Sequence, residues 1–595
     1  MPMRDPRYAP RRLDVTRRDD GAVLLHNPTP LDLTFRTTLD ALDYWATATP
    51  DAPWLSERSG EGWRTVSFRE AQQQIAALAG GLADVGPSGS LLILARNTID
   101  HALIAFASMS LGIPVAAVSP QYGLGGAHLG RLAHAVDLLR PGSVYVDDAA
   151  AFARALEADF LAGRPVIAGS GDRKGDIQFK ELLKSTPLSH RPAPDAIAKL
   201  LLTSGSTGAP KAVMCLHAAV AANAAQVAAC YDDPEPPVVV NQAPWSHSLG
   251  ANAILQMVLH RGGTLYIDAG APVAGRHRET VRNLREIAPT YHNMVPAGWD
   301  LLAGELERDD ALAATFFSRV RVLQYGGAAL GQSTCDRIQA VAVRTVGETI
   351  SFASGYGATE TGPTATNVHW PNRTMGLMGL PLPGTTVKLV PAQGRLEFRV
   401  KGPQLGAGYY RNPSATAAAF DDEGFYQLGD AARWVDPRDP EQGLAFDGRL
   451  SENFKLSSGT FVGVGALRVA AVSAMGGVAS DAVVCGEGQA GVGLLVFLSA
   501  PQCRALTADA ADLAGHPAVR QAVRDGLERF NAAAGGGGSK VARALILSDA
   551  PNPEAGEITD KGYINQTLAR ARRAPDIARL FADPPGPAIA VFGRT

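Results

Sequence analysis

Apolar and polar residues follow one another along the chain in a pattern that predicts strands and helices in turn. Apolar residues recur at helical spacing over 39–45 and 68–82, and Ser67 with Glu70 forms a capping-box pattern at the start of the second stretch. A further helical stretch covers about 100–111. Short apolar runs of strand type lie at 91–94, 115–118, 143–146, 165–167, 200–203, 238–241, 264–267 and 320–325. This alternation predicts an α/β protein with mostly parallel sheets flanked by helices.

The pattern changes after about residue 376. Short strands with turn signals at 386–390 and 394–400 predict a β-rich subdomain. The segment 443–459 is dense in charge and glycine, and a mixed α/β stretch follows it. Four consecutive glycines at 535–538 predict a flexible loop. We interpret residues 1–35 as an irregular, arginine-rich arm on the surface.

Composition narrows the class of protein. A chain of 595 residues is too long for one simple core, so we expect at least two domains. The net charge of −3 gives no basic field that would hold a nucleic acid. No apolar run reaches the roughly 20 residues that span a bilayer, and no apolar stretch typical of a signal peptide follows the N-terminal arginines. The five cysteines show no C-x-x-C spacing, so neither a zinc site nor a disulfide framework is indicated. We therefore expect a cytoplasmic protein without a membrane partner.

Lysine is rare, and one lysine ends a loop rich in glycine and hydroxyl groups. The chain holds ten lysines among 55 basic residues. A predicted strand leads into a segment that combines small, hydroxyl and basic residues, namely Thr203, Ser204, Gly205, Ser206, Thr207, Gly208 and Lys211. Backbone N–H groups, hydroxyls and an ammonium are what a polyphosphate site needs. The segment is not a Walker A loop, because Ala212 rather than Ser or Thr follows the lysine.

A second segment, 355–363, combines aromatic, hydroxyl and acidic side chains. The ring of Tyr356, flanked by glycines, can stack on a purine. The Thr359 hydroxyl can bond a phosphate. A carboxylate beside a phosphate requires a cation between them, so we interpret Glu360 as the ligand of Mg²⁺.

These two segments resemble signature motifs of the adenylate-forming superfamily, which includes acyl- and aryl-CoA synthetases, luciferases and the adenylation domains of peptide synthetases. Segments 325–330, 425–430 and 446–455 also resemble its motifs, and the resemblance covers about residues 40–570. Leu428 departs from the usual threonine of the motif at 425–430. The resemblance implies that the nucleotide is bound by the phosphate loop and by Gly327, Ala328, Ala329, Tyr356, Gly357, Thr359, Asp430 and Arg449. It further implies a domain-rotation hinge at Glu452.

The family's C-terminal motif, Gly-Lys-x-x-Arg, is altered here. Glu557 stands at the expected lysine position, where a carboxylate would repel both the acid and the α-phosphate. We expect Lys561, four residues further on, to be the substitute catalytic lysine, with Lys540 as the weaker alternative. The segment 556–565 resembles the ending of feruloyl-CoA synthetases.

The acid pocket is inferred from the resemblance to the feruloyl-CoA synthetase branch of the superfamily. Segments 244–252, 262–268 and 293–296 resemble feruloyl-CoA synthetases, in which the first forms one wall of the acyl pocket. The resemblance places His247, Ser248, Asn252, Tyr325, Gly326 and Gly355 around the acid, with His247 near the carboxylate. Ala253 stands where that branch carries a bulkier polar residue, so we expect an aryl acid without specifying ferulate.

Together these features predict a large N-terminal domain, 1–450, and a small, mobile α+β C-terminal domain, 451–595, with a hinge near 450–453. The predicted enzyme is an ATP-dependent acid–CoA ligase, a monomer or homodimer, that uses Mg²⁺. It would form an acyl-adenylate and then a CoA thioester, with Thr203, His247, Glu360 and Lys561 as catalytic residues and the loop of Ser458 and Gly459 serving the second step. Two alternatives stay open: an adenylating enzyme that loads a separate carrier protein, and a non-catalytic nucleotide-binding homologue.

Overall fold

The structure of the protein is a computed structural model. It describes residues 1–86, 88–124, 128–171, 173–203, 210–273, 275–327, 330–392, 394–507, 511–535, 537–552, 557–558 and 564–593. The protein has the predicted α/β fold: a large N-terminal domain built on mixed sheets with flanking helices, and a smaller C-terminal domain.

The first section of the chain contributes five strands to a seven-stranded sheet, two to a four-stranded sheet and two to an eleven-stranded sheet. Its elements are β1 (Asp14–Arg17), β2 (Val23–His26), α1 (Asp40–Ala48), β3 (Pro53–Ser59), β4 (Gly62–Ser67), α2 (Phe68–Val85), β5 (Ser90–Ile93), α3 (Ile99–Ser110), β6 (Val115–Ala117), α4 (Leu129–Leu139), β7 (Pro141–Val146), α5 (Ala153–Leu156), β8 (Val166–Ala168), β9 (Ile177–Gln178) and α6 (Phe179–Leu182).

The second section completes the seven-stranded and four-stranded sheets and adds three strands to the eleven-stranded sheet. Its elements are β10 (Ile197–Thr203), β11 (Lys211–Leu216), α7 (His217–Ala228), β12 (Val238–Asn241), a π-helix (Leu249–Ile254), α8 (Leu255–His260), β13 (Thr264–Ile267), α9 (His277–Glu286), β14 (Tyr291–Met294), α10 (Pro296–Arg308), α11 (Asp310–Arg319), β15 (Val322–Tyr325), α12 (Gln332–Val346) and β16 (Ser351–Tyr356).

The seven-stranded sheet has the order β11-β10-β6-β5-β7-β8-β9 and is parallel except for the β10–β11 hairpin. Its central strand β5 is buried along its whole length, as a run of apolar residues in a parallel strand predicts. Helix α2 begins with the predicted capping box, in which the Ser67 hydroxyl accepts from the Glu70 amide and the Glu70 carboxylate accepts from the Ser67 amide. A separate four-stranded sheet has the strand order β12-β13-β3-β4.

The predicted β-rich region is part of an eleven-stranded sheet of order β1-β2-β19-β20-β21-β22-β18-β17-β16-β15-β14. Strands β14, β15 and β16 are parallel, and the later strands pair antiparallel. Those later elements are β17 (Thr366–Asn367), β18 (Leu377–Pro381), β19 (Thr386–Ala392), β20 (Arg395–Lys401), α13 (Pro413–Ala419), β21 (Tyr426–Trp434) and β22 (Leu444–Arg449).

The interpretation of residues 1–35 as an irregular arm is wrong for two segments, because β1 and β2 form a hairpin on the edge of this sheet beside β19. The physical reason is the alternation in β2, whose Val23 and Leu25 are buried in the core. Arg4 also anchors the arm, since its Nε lies 2.8 Å from a carboxylate oxygen of Glu348.

The C-terminal domain has its own sheet of order β25-β26-β27-β28 and a short hairpin. Its hydrophobic clusters consist of residues from Phe454 onward. The elements are β23 (Phe454–Lys455), β24 (Phe461–Val462), α14 (Val464–Ala474), β25 (Ala479–Cys485), β26 (Val492–Leu498), α15 (Ala500–Thr507), α16 (Pro517–Ala533), β27 (Val541–Ile546), α17 (Gln566–Arg572), α18 (Ala574–Phe581) and β28 (Ile589–Val591). Over the described residues, no helix is both long and apolar enough to cross a membrane.

Candidate active site

The hairpin of β10 and β11 holds the two ends of the predicted phosphate loop. Thr203 and Lys211 are paired in register across the hairpin, and the Thr203 hydroxyl donates to the Lys211 carbonyl at 3.5 Å. The predicted loop residues Ser204, Gly205, Ser206, Thr207 and Gly208 lie outside the described residues. The Lys211 ammonium lies 4.7 Å from the ring centroid of Tyr409, a cation–π distance.

Glu360 faces the same tyrosine. The Tyr409 hydroxyl donates to a Glu360 carboxylate oxygen at 2.9 Å and lies 2.9 Å from the Tyr426 hydroxyl. Burial, together with the negative charge of Glu360, raises the pKa of both phenols above the ordinary tyrosine value. Both therefore stay protonated at neutral pH and act as donors. Tyr409 thus links the predicted metal ligand to the lysine at the end of the phosphate loop.

Thr359, the residue before Glu360, contacts the segment 244–252, which is predicted to form one wall of the acid pocket. Its hydroxyl is 3.1 Å from that of Ser248, the residue directly before the π-helix. The loop before this helix is held by Asn97, whose side chain bonds the Ala243 carbonyl and the Trp245 amide at 2.9 and 3.0 Å. His247, in the same loop, is half-buried. The structure thereby brings two predicted residues from distant segments, Ser248 and Thr359, into contact.

Strands β15 and β16 end beside this wall. A side chain at Gly326 would lie 3.6 Å from Leu249 of the π-helix, and one at Gly355 would lie 3.2 Å from Thr364. Tyr325 is different, since its side chain is buried in the core and its hydroxyl accepts from the Gly376 amide at 2.9 Å. Only the backbone of Tyr325 is therefore left to contribute to a pocket. Gly327 has a left-handed φ of +83°, and Ala328 and Ala329 lie outside the described residues.

Asp430 joins Tyr356 and Arg449. The Tyr356 hydroxyl donates to one Asp430 carboxylate oxygen, and the Arg449 Nε lies 3.2 Å from the other. Strand pairing sets this geometry, because Asp430 of β21 is opposite Arg449 of β22. Gly357, next to Tyr356, has no room for a side chain, since a Cβ would lie 2.1 Å from the Pro363 carbonyl oxygen.

The predicted hinge residue Glu452 sits among arginines. Burial raises the pKa of Glu452, while Arg449, Arg468 and Arg570 oppose that rise. The Arg570 guanidinium also donates to the Glu452 carbonyl at 2.9 Å, which ties the C-terminal helix α17 to this position. Ser458 is exposed, with its hydroxyl 2.8 Å from that of Thr460, and Gly459 has a left-handed φ of +79°.

Glu557 does not present a free carboxylate to the substrates. Its side chain is 2% exposed and accepts from Arg573 at 2.7 and 2.8 Å and from the Asn552 amide at 2.8 Å. Burial raises the pKa of Glu557, but these hydrogen bonds outweigh burial and leave it below the ordinary value. The structure thus holds the Glu557 carboxylate in a buried ion pair with Arg573, and that Glu557 cannot do the work of the usual lysine stays a prediction. Lys561 lies outside the described residues, and Lys540 is exposed.

Two residues of the site were missed by the sequence analysis. Tyr409 lies outside the segments predicted to form the site, and Tyr426 lies within the predicted motif 425–430 without a predicted role of its own. The sequence offers one signal, the glycine at 408 directly before Tyr409. In the structure Gly408 has a φ of +97°, and the chain turns there. In the described part of the chain, His, Cys, Asp and Glu side chains form no group of three or more that could hold a metal.

Comparison with known proteins identifies the family. A family model described as AMP-binding enzyme matches residues 42–410, more than half of the chain. The chain belongs to this family.

Relatives of this AMP-binding enzyme include a reductase and a ligase. A carboxylic acid reductase of Mycobacterium tuberculosis is 27% identical over 68% of this chain and 37% of the reductase, so the chain spans little more than a third of that relative. A 4-coumarate–CoA ligase of Oryza sativa subsp. japonica is 27% identical over 66% of this chain and 71% of the ligase. Among solved structures, the adenylation domain of a carboxylate reductase from Mycobacterium chelonae has a TM-score of 0.75 and 20% identity, covering 93% of this chain and 92% of that domain. The structural likeness establishes the fold.

Proposed function

We propose that the protein is an ATP-dependent carboxylic acid–CoA ligase that acts on an aromatic acid of the hydroxycinnamate or benzoate type. The observation that carries the proposal is the Tyr409 link between Lys211 and Glu360, which joins a cation at the phosphate loop to a carboxylate. A phosphate-binding cation beside a metal-binding carboxylate suits the triphosphate of ATP. The similarity to 4-coumarate–CoA ligases favours an aromatic acid, and a feruloyl-CoA synthetase-like specificity is our finer proposal.

In the first step, a carboxylate oxygen of the acid attacks the α-phosphorus of ATP. The bond from that phosphorus to the bridging oxygen breaks, pyrophosphate leaves and an acyl-adenylate forms. Lys211 and the Thr203 hydroxyl lie at the loop that would bind the phosphates. Asp430 would accept the ribose hydroxyls, and Tyr356 would contact the adenine. His247 and Ser248 would orient the carboxylate, and Lys561 would bridge it to the α-phosphate.

Glu360 is the residue that would hold Mg²⁺. One carboxylate fits this ion, which commonly takes one or two carboxylates and completes its shell with phosphate oxygens and water. The Tyr409 hydrogen bond occupies one Glu360 oxygen and fixes the carboxylate orientation. When bound, the ion would offset the charge that develops on the phosphates.

In the second step, the CoA thiolate attacks the acyl carbon, the carbon–oxygen bond to the phosphate breaks and AMP leaves. We propose that residues 451–595 rotate as a unit about Glu452 between the two steps, which would withdraw Lys561 and bring Ser458 and Gly459 to the site. The proposed boundary near 450–453 is supported by the C-terminal hydrophobic clusters, which begin at Phe454.

The test is an assay of purified protein with ATP, Mg²⁺ and CoA against cinnamic, benzoic and medium-chain acids. The proposal expects AMP and pyrophosphate release that depends on an aromatic acid. The similarity to carboxylic acid reductases favours a second candidate, transfer of the acyl group to a carrier protein. That candidate predicts pyrophosphate release without consumption of CoA, whereas a non-catalytic homologue predicts neither.

A further inference from the structure

Lys199 is a buried lysine that the proposed mechanism does not use. It lies in β10, four residues before Thr203, and is 6% exposed. Burial lowers its pKa to about 8. Among the described residues it forms no ion pair with a carboxylate. Burying an ammonium without a carboxylate is unfavourable, so its position calls for a specific role.

The Lys199 ammonium is hydrogen-bonded to the π-helix Leu249–Ile254. Its Nζ donates to the Ala251 carbonyl at 2.9 Å and to the Asn252 side-chain oxygen at 3.0 Å. The Asn252 amide in turn lies 3.8 Å from the sulfur of Cys215, the residue opposite Lys199 in β11. The helix is therefore bound to both strands of the hairpin that holds the phosphate loop.

The π-helix itself needs such support. Its backbone hydrogen bonds run five residues back, as from the Leu255 amide to the Gly250 carbonyl. This geometry is rare and is found mostly as short segments at functional sites. The start of the helix lies at the candidate site: the Ser248 hydroxyl is 3.1 Å from that of Thr359, and a Cβ placed on Gly326 would lie 3.6 Å from the Leu249 side chain.

The small size of the cavity beside Lys199 argues against a separate ligand bound to this lysine. The adjoining cavity has a volume of about 30 Å³ and is lined by His101, Phe106, Met109, Lys199, Trp245 and Ala251, among others. A cavity of this size has room for about two water molecules. The ammonium is thus left with the helix as its main partner.

We propose that Lys199 is a positioning residue for the acid pocket: it fastens the π-helix wall to the strand that leads into the phosphate loop. The proposal rests on the proposed function, because it assigns the wall to the acid. It also makes a separate claim about the helix itself, which can be measured without turnover.

The test compares wild type with Lys199→Met, which keeps an unbranched side chain, one atom shorter, and removes its donors. Met109→Leu is the matched control, since Met109 lines the same cavity and has no hydrogen bond to the π-helix in the described contacts. We expect Lys199→Met to raise the KM for the acid at least 5-fold and to leave the KM for ATP within 2-fold. Hydrogen exchange of peptides covering 249–256 should also become faster than in Met109→Leu.

An unchanged KM for the acid, or an equal rise in both KM values, would overturn the proposal. Lys199→Gln, which retains an amide donor, should recover part of the acid KM and of the slow exchange, and it serves where Lys199→Met folds poorly. If wild type converts no acid, the proposed function fails. Exchange that is no faster in Lys199→Met than in the control would still show separately that Lys199 does not hold the helix.

Discussion

The Tyr409 hydroxyl donates a 2.9 Å hydrogen bond to the Glu360 carboxylate. The same ring lies under the Lys211 ammonium, so one side chain contacts both ends of the proposed phosphate site. Tyr409 therefore fixes how the carboxylate and the cation face each other. This relationship makes it a candidate positioning residue, in addition to its place in a hydrophobic cluster with Leu201 and Val213.

Tyr409→Phe removes that hydrogen bond and keeps the ring. A hydrogen bond to a charged group contributes about 1.5–3 kcal/mol, so we expect kcat to fall about 10- to 100-fold. The effect should weaken when Mg²⁺ is raised, because the ion would reorient the freed carboxylate. Steady-state kinetics over a Mg²⁺ series tests this, with Tyr410→Phe as the neighbouring control. Equal activity of the two variants would refute the role of Tyr409.

Glu360→Gln removes the carboxylate that we assign to Mg²⁺. The variant should lose at least about 100-fold in kcat, since an amide is a poor ligand for this ion. The Mg²⁺ concentration for half-maximal rate should rise. Glu441→Gln, at an exposed position, is the control. An unchanged Mg²⁺ dependence would exclude Glu360 as the metal ligand.

Glu557→Gln is predicted to affect stability. Breaking a buried ion pair costs about 3–5 kcal/mol, which urea unfolding of the C-terminal domain at pH 7 would detect. Glu528→Gln, which breaks an exposed pair with Arg524, should change stability by less than about 1 kcal/mol. A loss at Glu557 no larger than at Glu528 would contradict the buried pair.

The pH dependence of stability follows from the direction in which folding shifts the pKa of Glu557. Its folded-state pKa lies below the unfolded value of about 4.3, so the folded state favours the ionised carboxylate. The stabilisation is full above the unfolded pKa and is lost as the pH falls through the folded pKa. The difference in unfolding free energy between wild type and Glu557→Gln should therefore shrink below about pH 4. A difference that stayed constant down to pH 3 would mean that folding does not lower the pKa of Glu557.

Lys561→Ala tests the proposed catalytic lysine. Loss of its charge should slow acid-dependent pyrophosphate release at least about 100-fold, because the acid and the α-phosphate would repel each other without it. CoA-dependent breakdown of a supplied acyl-adenylate should change less, since that step would proceed with the lysine withdrawn. Lys540→Ala is the matched control. Loss of adenylation in Lys540→Ala instead would reverse the assignment.

Much of the fold is predictable from local pattern. The strands ending at Thr203 and Tyr325 are short apolar runs, and Ser67 with Glu70 marks the start of α2. The edge hairpin β1–β2 was missed because its apolar positions are few and its partner β19 lies more than 350 residues away. Long-range pairing of this kind leaves little trace in a local window.

The site was predictable in its residue types and less so in its contacts. Motifs identified Glu360 and Asp430, but the partner Tyr409 lies 49 residues from Glu360 and meets it only in the folded chain. Glu557 is the opposite case, because its position in the motif was recognised but the direction of its side chain could not be predicted from that position. Arg573, 16 residues further on, takes that carboxylate into a buried ion pair.

The central claim is that an aromatic acid is converted to its CoA thioester with formation of AMP. The most direct measurement follows CoA consumption and AMP formation together while 4-coumaric, cinnamic and benzoic acids are varied. We predict one CoA consumed per AMP formed with at least one of these acids, and no AMP without acid. Absence of acid-dependent AMP, or AMP formation without CoA consumption, would contradict the account.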